Sequence, residues 1–188
     1  IELNTTSRNK TTKKKFDQIN YTSFQFSEDG FDPKIKTNIE NSDHILVSIP
    51  PKNGIDLVFK NFSSTIEKSN IKWLTYLSAT SVYGNHNGDW VNEESEAKPS
   101  SSNGLDRFTA EKLWNSLFVE KKIPLQIFRL SGIYSNENNM LVRLKSGTAK
   151  IIDKENHFFS RIHVEDIANI LFNSLKNFKS GEIFNISD

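Results

Sequence analysis

The chain has 188 residues, with 24 Lys and Arg set against 23 Asp and Glu for a net charge of +1. That balance gives no electrostatic mandate for nucleic acid or an anionic membrane, and no apolar run approaches the roughly 18 residues of a membrane helix. The absence of cysteine excludes disulfides, thiolate metal sites and a cysteine nucleophile. The length suits one domain with a true core, and the expectation is a soluble, cytoplasmic protein without nucleic-acid or membrane partners.

Taken in chain order, strand-like and helix-like segments alternate, the grammar of a parallel sheet covered by helices. Strands are expected at 1–6, 22–26 and 44–49, the last closed by Pro50 and Pro51. Ile55, Val58, Phe59, Phe62 and Ile66 recur at helical spacing and predict a helix over 55–68. A strand at 73–77 then empties into the hydroxyl-rich turn Ser78-Ala79-Thr80-Ser81-Val82-Tyr83-Gly84. Ala110, Leu113, Trp114, Leu117 and Phe118 form one stripe of a helix over about 104–121, and Pro124 forces the exit into a strand at 125–130. Beyond it the pattern predicts a short helix at 138–146, a short strand at 150–152 and a final strand at 182–186. Between the last two lies a helix over 164–175, with Ile167, Ala168, Ile170, Leu171 and Leu175 inward. Right-handed crossovers are expected throughout.

Several residues invite chemistry. Ser78, Thr80 and Ser81 crowd the carboxyl end of a central strand, where open α/β sheets bind ligands. They either contact a ligand hydroxyl or satisfy the backbone of their own turn. Arg107 and Glu111 lie four apart, the spacing of an intrahelical ion pair. Asp89, Glu93 and Glu94, near Trp90, form an acidic loop that reads as a solvated lid. Glu165 and Asp166 open a helix, where negative charge suits the dipole. His44, His86, His157 and His163 show no ligand spacing, so no metal is expected.

Three segments together resemble the extended and atypical branch of the short-chain dehydrogenase/reductase superfamily, the NAD(P)-dependent nucleotide-sugar epimerases and dehydratases. They are the turn ending in Val82-Tyr83-Gly84, the segment Arg129-Leu130-Ser131-Gly132-Ile133-Tyr134, and the run from Phe159 through Ile162-His163-Val164 to Asp166 and Ala168. The resemblance implies an α/β, Rossmann-like doubly wound parallel sheet with helices on both faces. It also implies a single NAD(P)-binding domain over residues 1–188, with parts of a smaller substrate lobe around 135–165. The family carries a Ser or Thr three residues before the Val, and a Tyr-x-x-x-Lys pair with a Glu four residues after the Lys. Here those positions hold Ala79, Asn103 and Arg107, counting the last two back from Glu111. The family's Tyr works as a general acid/base through a phenol whose pKa is lowered by the Lys and the cofactor. Asn cannot exchange a proton near neutral pH, and Arg is effectively always charged. The catalytic candidates are therefore a hydroxyl of Thr80 or Ser81, water held by Asn103, and Arg107 in the place of the Lys; a one-residue slip would return Ser78 or Thr80 to the family's hydroxyl position.

The cofactor reading starts at Thr5-Thr6-Ser7-Arg8, which lacks the carboxylate that binds the free 2′-hydroxyl of NAD. Arg8 offers a planar fork to the 2′-phosphate of NADP, with Ser7 and Lys10 beside it; the alternative is an exposed arginine in a lysine-rich loop, with Lys13-Lys14-Lys15 as a solvated face. NADP is thus the expected cofactor, with NAD left open. Ser48, Ile49 and Pro50 either pass the diphosphate and ribose or simply end their strand, and Ser78, Arg107 and Leu130 complete the cofactor set. Tyr83 and Arg161 are the substrate candidates, Tyr83 at the pocket wall and Arg161 toward a substrate phosphate. The Gly-rich turn of such folds precedes the ribose reader by about 20 residues. With no Gly-x-Gly-x-x-Gly among the eight glycines, that turn and its strand are expected upstream of Ile1. Family members also continue past a strand like Ile183-Phe184-Asn185-Ile186 into a substrate lobe, and often dimerise through helices that follow the central strands, so a homodimer is the suggested oligomer. The function expected is an NADP-dependent epimerase, dehydratase or reductase acting on a small, sugar-nucleotide-like substrate. The alternative is a non-catalytic NADP(H)-binding sensor or scaffold.

Overall fold

The computed structural model describes residues 2–150 and 158–188. The elements in order are strands β1 (Leu3–Ser7), β2 (Thr12–Phe16), β3 (Ile19–Ser27) and β4 (Gly30–Phe31), helix α1 (Lys34–Glu40), β5 (His44–Val47), α2 (Leu57–Lys68) and β6 (Trp73–Ala79). After a 3₁₀ turn at Thr80–Val82 come α3 (Ser102–Lys121), β7 (Leu125–Leu130), β8 (Gly132–Tyr134), α4 (Met140–Lys145), β9 (Arg161–His163), α5 (Val164–Lys176) and β10 (Ile183–Ile186). Of the strand expected at 150–152, residues 151 and 152 lie outside the described residues.

The centre is an all-parallel sheet in the order β10-β7-β6-β5. β7 is buried at all six positions, as a strand covered on both faces must be. Its alternation separates two cores. Leu125 and Ile127 point with Leu74 and Tyr76 of β6 toward α1, α2 and α3, where they meet Ile35, Val58, Phe62, Ile66, Ala110 and Trp114. Phe128 and Leu130 point the other way, with Ile186, onto Ile167, Ile170 and Leu171 of α5. Helices on both faces are what the doubly wound reading expects. A second sheet pairs β1 with β3 in parallel, carries β2 antiparallel to β3, and adds β4 to the far end of β3. Phe24 and Phe26 of β3 join the core of the central sheet, and a groove between the two sheets is lined from both β1 and β5.

Helix starts follow from capping chemistry. The Asp56 side chain accepts from the amide of Phe59 at 2.9 Å and opens α2, while Ser101 does the same for Gly104 at 3.1 Å and opens α3. Asp56 is buried, and its second oxygen accepts from Trp114 Nε1 at 2.8 Å, locking α2 to α3.

The structure corrects four sequence readings. Lys13-Lys14-Lys15 is not loop but the middle of β2, solvated on both faces, a charged edge strand. Ile55 precedes the Asp56 cap and lies outside the helix, 45% exposed. Leu113 sits at the margin of its stripe, beside the fully buried Trp114. In α5 the inward line runs through Ile167, Leu171 and Ser174, which leaves Ala168 and Leu175 outside it. Among the described residues no helix is long and apolar enough to cross a membrane.

Candidate functional site

The carboxyl ends of the parallel strands gather the residues singled out by sequence. Cross-strand register places Val47 beside Tyr76, with Ser48, Ile49 and Pro50 following where β5 ends; Ala79, at the end of β6, pairs with Leu130 of β7. From Ala79 the chain turns tightly through Thr80, Ser81 and Val82, with the amide of Tyr83 donating to the Thr80 carbonyl at 3.1 Å. The start of α3 packs directly on this turn. A Cβ on Gly104 would stand 2.4 Å from the Ser81 carbonyl oxygen, so only glycine permits the approach. Asn103, the residue before Gly104, and Ser81 are both exposed, and Thr80 is half-buried.

Under the turn lies a buried polar network. Arg129, in the middle of apolar β7, is 5% exposed, and its guanidinium donates to both carboxylate oxygens of Glu111 at 2.7–3.3 Å. Its Nη1 also donates to the Tyr83 hydroxyl at 2.8 Å, and its guanidinium carbon stands 4.9 Å from the Tyr83 ring centroid. The Tyr83 hydroxyl donates in turn to Asn185 Oδ1 at 2.8 Å, and the Asn185 backbone amide donates to Glu93 Oε1 at 2.6 Å. Burial works against the charge on Arg129, but the bonds and charge of Glu111, with Tyr83, outweigh it and hold the guanidinium pKa above its ordinary value. Tyr83 is therefore a wall residue whose hydroxyl already donates once and accepts once. The expected Arg107–Glu111 ion pair is replaced: Glu111 faces inward to Arg129, while Arg107 Nη1 donates to the backbone carbonyl of Leu77 in β6.

Three hydroxyls near these strand ends are buried without a hydrogen-bond partner, those of Ser7 at the end of β1, Ser78 at the end of β6 and Ser131 just past β7. Tyr76, two residues before Ser78 on β6, has its hydroxyl buried near Arg107; burial, then the charge of Asp56, pushes its phenol pKa up against the opposing charge and hydrogen bond of Arg107. Arg8 is exposed beside Ser7, and Thr5 and Thr6 line the same groove as Ser48 and Ile49. The side chain of Leu130 belongs to the core under α5, so what it presents at the strand end is backbone. Arg161 lies against Gly132, its register partner in β8, with its guanidinium 4.9 Å from the Phe159 ring centroid. His163 caps α5, its Nδ1 accepting from the Glu165 amide at 3.4 Å, and Asp188 accepts from both the His163 amide and the Tyr134 hydroxyl. No cluster of His, Cys, Asp and Glu suited to a metal occurs among the described residues.

For a nicotinamide dinucleotide these residues fit in part. The unpartnered hydroxyls of Ser7 and Ser78 and the free-standing Arg8 suit ribose and phosphate oxygens. A glycine-rich cradle for a diphosphate is absent among the described residues.

No protein-family model and no curated protein matches the sequence, but solved structures do. A conserved protein of unknown function from Silicibacter pomeroyi superposes with a TM-score of 0.73 at 36% identity, over 80% of this chain and 53% of its own. A UDP-N-acetylglucosamine 4-epimerase from Bacillus cereus gives a TM-score of 0.73 at 18% identity, over 98% of this chain and 66% of its own. A UDP-glucuronic acid 4-epimerase from Bacillus cereus, solved with NAD, gives 0.69 at 17% identity, over 81% and 56%. The chain spans 53–66% of the length of these structures. It has their α/β, Rossmann-like fold.

Proposed function

We propose that this chain is the nicotinamide-dinucleotide-binding part of a short-chain dehydrogenase/reductase-type protein of the epimerase and dehydratase branch. Its substrate in this reading is sugar-nucleotide-like, and its seat is the cytoplasm. The observation that carries the proposal is the convergence of unpartnered or exposed hydroxyls, Ser7, Ser78, Thr80 and Ser81, on the carboxyl ends of parallel strands, the ligand side of such sheets. A structural neighbour that holds NAD supports the cofactor class.

In this reading Ser7 and Arg8 hold the adenosine ribose. Arg8 and the lack of a carboxylate at this strand end favour the 2′-phosphate of NADP over the free hydroxyl of NAD. Ser48, Ile49 and Pro50 line the middle of the cofactor, and Ser78, Arg107 and the Leu130 backbone its nicotinamide end. When bound, the nicotinamide supplies hydride exchange at a carbinol carbon. The chain's own work is then the proton. With Ala79 and Asn103 in the family's hydroxyl and Tyr places, the hydroxyl of Thr80 or Ser81, or a water on Asn103, would relay the carbinol proton, accepting it while giving up its own proton to solvent. Arg107, anchored on the Leu77 carbonyl, keeps positive charge beside that turn. Tyr83 supports the wall of the cleft, and Arg161, beside Phe159 on β9, faces a substrate phosphate.

The test is calorimetric titration of NADPH and NADH into the full-length protein and into Arg8→Glu. Preferential NADPH binding that Arg8→Glu abolishes is expected; equal or absent binding of the two nucleotides would refute the assignment of Arg8. Binding without stereospecific hydride exchange on hydroxylated substrates would move the reading to a non-catalytic sensor.

A further inference from the structure

Asparagine precedes glycine three times, at residues 53–54, 87–88 and 103–104. Such a pair is chemically labile, because glycine has no side chain to keep its nitrogen away from the asparagine carboxamide. The deprotonated glycine nitrogen attacks Cγ, a carbon–nitrogen bond closes a cyclic imide, and the side-chain nitrogen leaves as ammonia. Water then opens the imide. Breaking the new bond gives aspartate; breaking the backbone carbonyl–nitrogen bond gives isoaspartate, in which the chain runs on through Cβ and Cγ. The sum is amide and water to acid and ammonia, with no change of oxidation state.

The fold holds the three glycine nitrogens differently. Asn53-Gly54 and Asn87-Gly88 occupy the same kind of exposed turn, with positive φ at both residues (52° and 75°, 57° and 92°), the conformation that selects Asn-Gly. The first turn is closed by two backbone bonds between Lys52 and Ile55, each 3.0 Å, and the Gly54 amide donates to Asp106 Oδ1 of α3 at 2.7 Å. Attack there has to break a hydrogen bond to a carboxylate and leave the nitrogen anion facing it. In the pair at 103–104, Gly104 is buried in the first turn of α3, and its amide donates to Ser101 Oγ at 3.1 Å.

Asn87-Gly88 has no such restraint. Its turn is closed by one bond, from the Asp89 amide to the His86 carbonyl at 3.0 Å, and among the described residues the Gly88 amide has no hydrogen-bond partner. Its other bonds are local: the Asn87 amide donates to Asn85 Oδ1 at 3.0 Å, and Asn85 Nδ2 donates to Asn87 Oδ1 at 3.4 Å. The second is aimed at the oxygen on which negative charge collects as Cγ is attacked.

We infer that Asn87 is a self-modifying site, which deamidates spontaneously in the folded protein while Asn53 and Asn103 are protected. The product places a further carboxylate in a segment that already holds Asp89, Glu93, Glu94 and Glu96, beside the fully exposed Trp90. In the isoaspartyl form an extra backbone atom enters the turn and breaks the register of the bond between Asp89 and His86. His86 stands edge-on to Tyr83, with ring centroids 6.3 Å apart, so the altered turn abuts the buried network of Tyr83 and Arg129. The inference rests on turn geometry and hydrogen bonding and is independent of the nicotinamide reading.

Peptide mapping of the full-length protein tests it, after incubation at body temperature in mildly alkaline buffer, with electron-transfer fragmentation to separate aspartate from isoaspartate. Asn87 is expected to convert about tenfold or more faster than Asn53 or Asn103. In urea, where the fold no longer holds any of the three nitrogens, the rates should converge. Asp106→Ala frees the Gly54 amide and is expected to raise conversion at Asn53 severalfold, with Asn103 still slow in the same sample as the sign that the variant is folded. Equal rates at the three sites in the native protein would overturn the proposal. So would the same ranking in urea, which would make the neighbouring residues and not the fold the cause, and so would an Asn53 rate unmoved by Asp106→Ala.

Discussion

The two ends of the central sheet solve the burial of polar groups in opposite ways. At β7 and β10 a charged side chain is buried and every arm of it is answered, by Glu111, by Tyr83 and through Tyr83 by Asn185. At β5 the outermost backbone has no strand partner among the described residues, and the start of the strand is held by the exposed Asp43–Lys72 pair at 2.6 Å, by the amides of Lys72 and Trp73 on the Asp43 carbonyl and by its ladder to β6. Side-chain hydrogen bonding is therefore concentrated under the turn at residues 78–84, where the proposed chemistry needs it, while the groove side of the sheet has spare bonding capacity.

Breaking the closed end should give the largest effect. Arg129→Ala leaves Glu111 buried and uncompensated and should cost about 3–5 kcal/mol in urea unfolding, whereas the double change Glu111→Leu with Arg129→Met should recover most of that loss. Recovery in the double variant separates a burial penalty from a loss of packing. Gly104→Ala comes next: its Cβ must displace the Ser81 carbonyl, a backbone group, and about 1–3 kcal/mol of lost stability is expected from the same measurement. Tyr83→Phe removes a hydroxyl that bridges Arg129 and Asn185 and should cost about 1–2 kcal/mol. If it costs nothing, the network does not reach β10.

The smallest effect belongs to the open end. The hydrogen bond and charge of Lys72 hold the Asp43 carboxyl below its ordinary value of 3.8. A carboxylate depressed on folding stabilises the protein above its unfolded pKa, and the contribution is lost as pH falls through the folded one. Asp43→Asn should therefore flatten slightly the fall in melting temperature below pH about 4, and leave the curve at neutral pH nearly unchanged.

The regular part of this fold was legible wherever burial imposes a period. β7 reads as a short, mostly apolar strand, α2 and α3 as helical stripes, and Pro124 marks the boundary between α3 and β7. β2 was not legible, because a strand exposed on both faces has no apolar alternation to show, and α1 is short, with Ile35 as its one buried residue. At the site, sequence brought out the hydroxyls of the turn and the Ser48–Pro50 segment, since strand ends are marked locally. The network behind them joins residues 18 to 102 positions apart, and spacing along the chain suggested the wrong partner for Glu111. One signal did exist: an arginine at the fifth position of Leu-Gln-Ile-Phe-Arg-Leu has to be answered by a buried carboxylate.

The bond from the Asn185 amide to Glu93 has a consequence for the molecule's behaviour in a crowd. Among the described residues β10 is the outer strand of the central sheet, paired with β7. An acidic side chain seated on its amide occupies a donor that another chain's strand would use, and brings negative charge to the rim. Self-templated stacking from that side is thereby discouraged, which leaves the molecule with one rim guarded against unwanted polymers.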